Sequence, residues 1–255
     1  MSKLVTKLRQ VSENAVQPIG FRAAAVSSSQ RMVLIASLAK GDADAVLQLA
    51  KANIDAVLIH GHAEKDNRYL QRISPSAGDM PWGVRVDSMT EALLEQLKEA
   101  GADFLVSEAA TSPATLLQEE SIGKVLRADL PQDESVIAAF DDMPVDAVLL
   151  DVGKEGNALT ISDLMQCHWL AGLVDKPLLA AVQRELSDKD VQSLWEAGVK
   201  GLVVEVSERE PERQLTRLSQ AIDALPAKAK KRGESRPVLP RVDHTAIEPQ
   251  EPEEI

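Results

Sequence analysis

The chain has 255 residues, enough for one large α/β domain, and its 44% hydrophobic share with only 3% aromatic residues predicts a core of Val, Leu, Ile and Ala. A net charge of −12 sets the surface against a phosphate backbone, and so few aromatic rings leave no base-stacking platform, so a nucleic-acid partner is not expected. Cys167 is the only cysteine, which excludes an intramolecular disulfide or a thiolate metal cluster and makes a reducing cytoplasm the expected compartment. Met1–Thr6 lacks the apolar centre of a signal peptide, and the uncharged run Val33–Ala39 is too short to cross a bilayer, so no membrane role is expected.

In chain order, residues 1–31 read as an N-terminal helix and linker. Leu4, Val5, Leu8 and Val11 fall on one helical face, a stripe that either covers the floor of the next domain or docks a partner. From 32 to 225, runs rich in Val, Leu and Ile alternate with helical periodicity, the pattern of βαβ units. Eight runs occur: Met32–Leu38, Ala56–His60, Trp82–Asp87, Phe104–Glu108, Lys124–Asp129, Ala147–Val152, Pro177–Val182 and Leu202–Ser207. Eight is the number of a (βα)₈ (TIM) barrel. Ser88 with Glu91 and Ser187 with Asp190 have capping-box spacing, and Gly101 and Gly198 stand where a helix stops before a strand. Residues 226–255, with Lys228, Lys230, Lys231 and Arg232, then prolines and an acidic end, read as a disordered tail.

The even-numbered strands begin alike, with Asn53-Ile54-Asp55, Gly101-Ala102-Asp103, Pro144-Val145-Asp146 and Gly198-Val199-Lys200. The interval is roughly 50 residues, the length of two βα units, so the chain reads as four quarter-barrels. Five residues past each shared position stand His60, Glu108, Asp151 and Glu205. Four ionisable residues at one level of alternate strands predict an interior layer, with Ile59, Ser107, Leu150 and Val204 facing the helices. On odd strands, Arg85 with Asp87 and Arg127 with Asp129 share a face in pairs, and Ala36 and Ala180 are the expected small residues at matching positions.

Branched apolar residues normally fill a barrel, and unpaired buried charge costs several kcal/mol, so a polar layer points either to a site at the C-terminal mouth or to an ionic plug. Two chemistries fit a site. One imidazole and three carboxylates, His60, Glu108, Asp151 and Glu205, suit a divalent metal such as Mg²⁺, Mn²⁺ or Zn²⁺. Alternatively Arg85 and Arg127, with Asp87 and Asp129 beside them, bind a substrate carboxylate or phosphate while His60 or a carboxylate moves a proton. His62 lies beyond the layer, the Cys167-His168 pair is expected to pack, and the glycine-bearing stretch Asp151–Gly156 is read as a loop of the active face.

Glu99-Ala100-Gly101-Ala102-Asp103-Phe104-Leu105-Val106 and Glu196-Ala197-Gly198-Val199-Lys200-Gly201-Leu202-Val203 resemble stretches of the phosphate-binding (βα)₈ enzymes, among them thiamine phosphate synthases, indole-glycerol phosphate synthases and keto-acid phosphate aldolases. The resemblance runs in rhythm over most of residues 32–224 and implies the fold. That group holds phosphate on glycine-rich turns after strands seven and eight, whereas Ala181–Glu185 and Glu205–Glu210 contain no glycine and several acids. Lys124, Lys176 and Lys200 stand at strand beginnings, the wrong end for a Schiff base. The expectation is a lyase- or isomerase-type enzyme acting on a small polar metabolite at the barrel mouth. The alternative is a barrel without catalysis that binds a protein partner, or another copy of itself, through its N-terminal helix and tail.

Overall fold

The computed structural model describes residues 2–13, 30–39, 43–50, 52–60, 67–129, 134–153, 158–183, 185–206 and 210–226. His62, residues 154–157 beyond Gly153, residue 184 after β7, residues 207–209 after β8, and residues 227–255, where a disordered tail is expected, lie outside the described residues. Eight parallel strands close into one barrel in sequence order: β1 (Val33–Leu38), β2 (Ala56–His60), β3 (Trp82–Arg85), β4 (Phe104–Glu108), β5 (Gly123–Ala128), β6 (Ala147–Val152), β7 (Leu178–Val182) and β8 (Gly201–Glu205). Closure sets Val33 opposite Gly201. The helices are α1 (Lys3–Glu13), α2 (Ala43–Leu49), α3 (Asn67–Ala77), α4 (Glu91–Glu99), α5 (Glu134–Asp142), α6 (Ile161–Leu173), α7 (Asp188–Glu196) and α8 (Pro211–Asp223). None of the described helices is long and apolar enough to cross a membrane.

The fourth crossover departs from the expected alternation. Between β4 and β5 the chain makes two 3₁₀ turns, Ala109–Thr111 and Ala114–Gln118, where the other crossovers carry an α-helix. Pro113 stands before the second turn, and a proline there restricts the chain. The segment is pinned by Lys124, whose Nζ donates to the carbonyls of Leu117 (3.2 Å) and Glu119 (2.6 Å), and by the Lys98–Glu119 ion pair at 2.7 Å. Lys98, aided by the Ser121 N–H, holds the Glu119 carboxyl down at about 2. A groove of about 310 Å³, lined by Leu116, Leu126, Val136 and Phe140 among others, remains beside α5.

The quarter repeat is visible in the backbone. The N–H groups of Asp55, Asp103, Asp146 and Lys200 each donate to the carbonyl of a preceding strand, Leu34, Trp82, Lys124 and Leu178, all at 2.8 Å. The three aspartates also fasten α1 under the barrel. Asp103 accepts from the N–H of Lys3 (2.7 Å) and Leu4 (2.9 Å) and from the Ser2 hydroxyl (2.7 Å), capping the helix, while Lys7 pairs with Asp55 (3.0 Å) and Arg9 with Asp146 (3.3 Å). Leu4, Leu8 and Val11 pack against interior residues such as Val33, Ala56 and Phe104. The apolar stripe of α1 therefore covers the floor, and that face is not open to a partner.

Local signals held in part. Ser187 and Asp190 form the reciprocal capping box, and Gly101 (φ +79°) and Gly198 (φ +104°) take the left-handed conformation that ends α4 and α7. Ser88 does not cap α4, because the helix starts at Glu91 and Thr90, directly before it, accepts from the Leu93 N–H. Inside the barrel, a Cβ at Gly83 would stand 2.5 Å from the Phe104 carbonyl oxygen and 2.6 Å from its ring, so glycine leaves the room that Phe104 fills.

Two stability tests follow from this packing. Gly83→Ala should lower the urea midpoint by the equivalent of about 1–3 kcal/mol, whereas Gly172→Ala, where an added methyl meets nothing within 4 Å, should be neutral or gain up to about 1 kcal/mol. Asp103→Ala should cost about 1–2 kcal/mol through loss of the α1 cap. Equal midpoints for the two glycine variants would contradict the interior placement of Gly83.

Candidate active site

Alternate residues of each strand face the interior, so two positions beyond the interior Leu58, Val106, Leu149 and Val203 stand His60, Glu108, Asp151 and Glu205. Each ends its strand at the C-terminal mouth and is half-buried, apart from Asp151, which is followed by Val152 in β6. Ile59, Leu150 and Val204 lie in the outer shell between sheet and helices, and Ser107 is also buried. Register places Arg85 beside His60, Arg127 beside Glu108, Ala181 beside Asp151 and Ser37 beside Glu205.

Ala36 and Ala180 do not complete this ring. Both are fully buried in the outer shell, and their neighbours Ser37 and Ala181 occupy the inward positions. The shift is one residue, and its cause is physical: β1 (VLIASL) and β7 (LLAAV) are buried on both faces, so no polar alternation marks their parity. Ser37, a small hydroxyl in an apolar run, is the site residue that sequence reasoning missed.

The ring divides into two halves. Around β3 to β6, Asp151 is shared by both guanidinium groups: Arg85 donates through Nη1 (3.3 Å) and Nη2 (3.2 Å), and Arg127 through Nε (2.6 Å). Arg127 Nη1 also pairs with Glu108. Burial opposes ionisation of Asp151, yet Arg85 and Arg127 outweigh it and hold the carboxyl below its ordinary value. Burial likewise opposes the charge on Arg127, and Asp151 and Glu108 raise its pKa in spite of it. This half is an ion network with its charges matched by partners.

Around β8, β1 and β2 the residues are less committed. Ser37 Oγ lies 2.8 Å from His60 Nε2. Burial, then the charge of Arg85, lowers the His60 pKa from 6.5, and Glu205, Asp151 and Asp87 do not fully offset them, so the imidazole is neutral at pH 7. The Glu205 carboxylate makes no hydrogen bond or ion pair among the described residues; its backbone carbonyl accepts from Gln214. Asp87 and Asp129 are exposed just past β3 and β5, on the rim and outside the ring.

His60, Glu108, Asp151 and Glu205 are not gathered as one metal-ligand set. Asp151 and Glu108 are turned to the arginines, and among the described residues no group of three or more His, Cys, Asp or Glu side chains is placed to hold an ion. Cys167 is buried and burial raises its thiol to about 12, in keeping with packing; His168 is exposed on α6, contrary to the packing expected of it.

No protein-family model matches the chain, and no curated protein matches it in sequence. Solved structures do. 3-Keto-L-gulonate-6-phosphate decarboxylase from Vibrio cholerae superposes with a TM-score of 0.61 at 17% identity, covering 75% of this chain and 97% of that one. Orotidine 5'-phosphate decarboxylase from Pyrococcus horikoshii gives 0.61 at 9% identity, covering 76% and 100%. 3-Hexulose-6-phosphate synthase from Salmonella typhimurium gives 0.59 at 16% identity, covering 75% and 98%. At these identities the likeness is one of fold, the closed (βα)₈ barrel.

Asp151→Asn should remove about 2–3 kcal/mol, because two guanidinium groups lose a charged acceptor. With a lowered folded pKa, the contribution of Asp151 is complete above the ordinary carboxylate range and disappears as pH falls through the lowered value, so the stability gap between wild type and variant should close in acid. In a ¹⁵N NMR titration His60 should protonate below 6.5, and Arg85→Met should move that midpoint upward; an unmoved midpoint would contradict the assigned role of Arg85.

Proposed function

We propose that the protein is an acid–base enzyme of the lyase or isomerase type, acting on a small polar metabolite at the C-terminal mouth without a resident metal. The observation that carries this reading is the neutral His60 imidazole hydrogen-bonded to Ser37 beside a preformed guanidinium network. An unprotonated imidazole accepts a proton from carbon or oxygen at neutral pH, and such general-base catalysis contributes about 10²–10⁴-fold. Ser37 orients the ring and relays the proton. Arg85, next to His60, offers positive charge to a developing enolate oxygen, while Asp151 fixes the guanidinium plane. Asp87 and Asp129 set the rim. Two of the three similar barrels named above are decarboxylases and the third is a synthase, which agrees with lyase chemistry on this scaffold.

One observation favours the rival reading, a barrel that binds without catalysis. The Arg85–Asp151–Arg127–Glu108 group satisfies itself, as an ionic plug does. Deuterium exchange separates the two. Incubated in D₂O with pools of sugar phosphates, keto acids, amino acids and amino alcohols, the enzyme should wash deuterium into a carbon-bound position of one pool member, and His60→Gln should slow this by about 100-fold or more. Exchange absent from every pool would favour the plug, and exchange unchanged in His60→Gln would take the base role from His60.

A further inference from the structure

The two halves of the mouth differ in charge, and the difference says what kind of ligand completes it. Asp151 and Glu108 have guanidinium partners. Glu205, at the inward end of β8, has none among the described residues, and its nearest functional neighbours are a serine hydroxyl, Ser37, and an imidazole that stays neutral. On the other side β7 ends at Val182, one residue short of the level of Glu205, and its inward Ala181 lies opposite Val203. The described mouth therefore holds one half-buried carboxylate without a counter-charge, next to the groups assigned to proton transfer.

A half-buried carboxylate is costly to leave without a partner, and a charge-assisted hydrogen bond is the strongest way to satisfy it. A metal ion is a poor candidate, since the other carboxylates of the ring are held by arginine and no set of three ligands forms among the described residues. An alcohol supplies a neutral donor and leaves the charge in place. An ammonium group supplies both the donors and the charge, and three N–H bonds match a carboxylate flanked by a hydroxyl. An anion at the β8–β1 side would meet Glu205 with repulsion and would find no cation there among the described residues.

We infer that the natural ligand carries a protonated amine, held by Glu205 and Ser37 at the β8–β1 side of the mouth. This rests on the reading of the mouth as a small-molecule site and names the substrate class within it. The reacting carbon then lies toward His60 and Arg85, so the substrate is an amino-bearing alcohol or carbonyl compound rather than a sugar phosphate.

Three probes of nearly equal size and different charge test it on the full chain: ethanolamine, ethylene glycol and glycolate, titrated while the His60 ring ¹H–¹⁵N signals are followed. Ethanolamine should move those signals saturably, in the millimolar range expected of so small a ligand, and the other two should not. Glu205→Gln should weaken the ethanolamine response at least tenfold, and Glu205→Asp, which keeps the charge, should retain most of it; a circular dichroism melt confirms that each variant is folded. Saturation by glycolate or ethylene glycol as readily as by ethanolamine, an unchanged response in Glu205→Gln, or no response to ethanolamine overturns the assignment. Deuterium exchange into a substrate lacking an amine, lost in His60→Gln, would sink the amine and leave the acid–base reading standing.

Discussion

Asp151 is the point on which the mouth of the barrel depends. Its two oxygens receive three N–H groups from two arginines on different strands, so it fixes both guanidinium planes and, through Arg127, the position of Glu108. Two cations in a barrel interior would repel one another and would be expelled from it without that anion. The network is only possible because the sheet is closed and parallel: alternate residues of eight strands converge on one axis, and β3, β5 and β6 reach across it.

Closure has a second consequence at the opposite end. A barrel has two mouths, and this chain seals the N-terminal one with its own first helix. The aspartates that begin β2, β4 and β6 do that work, one capping α1 and the others pairing with Lys7 and Arg9. The quarter repeat thus has a different use at each end. At strand starts it supplies anchors for a helix, and at strand ends it supplies the ionisable ring. The fourth quarter breaks the pattern with Lys200 in place of an acid, and its backbone bond is kept all the same.

The fold was legible because its signals are redundant. Eight apolar runs, a repeat of two βα units and glycine stops at Gly101 and Gly198 all point to one topology, and the strand limits match those expected for β2, β4 and β6 and differ by one or two residues at one or both ends of the others. The ionisable residues of the candidate site were legible for the same reason, since the repeat marks His60, Glu108, Asp151 and Glu205 together. Three things were not. The parity of β1 and β7 is hidden by burial on both faces, which moved the inward positions from Ala36 and Ala180 to Ser37 and Ala181. The replacement of a helix by 3₁₀ turns after β4 rests on a tertiary contact, Lys124 with the carbonyls of Leu117 and Glu119, that no local pattern announces. The pairing of carboxylates with arginines rather than with a metal is decided by distance across the axis, and residue type alone leaves both open.

That last decision also orders the chemistry. Among the described residues, two arginines and three carboxylates share the ring, and charge matching consumes Asp151 and Glu108 and leaves Glu205 over. His60 stands at the boundary between the matched and unmatched halves, with Arg85 on one side and Ser37 on the other. Burial and the adjacent guanidinium both favour its neutral form, whereas Glu205 favours the imidazolium; the first two prevail. If Glu205 had instead been the residue paired with arginine, His60 would lose one of the groups that raise its pKa and the β8 side would have no net charge to offer. The Glu205 carboxylate, without a partner among the described residues, opposes the lowering of the His60 pKa and gives one side of the mouth a preference for cations. The rigid half holds its shape through its own ion pairs, and the open half is where binding energy can be gained.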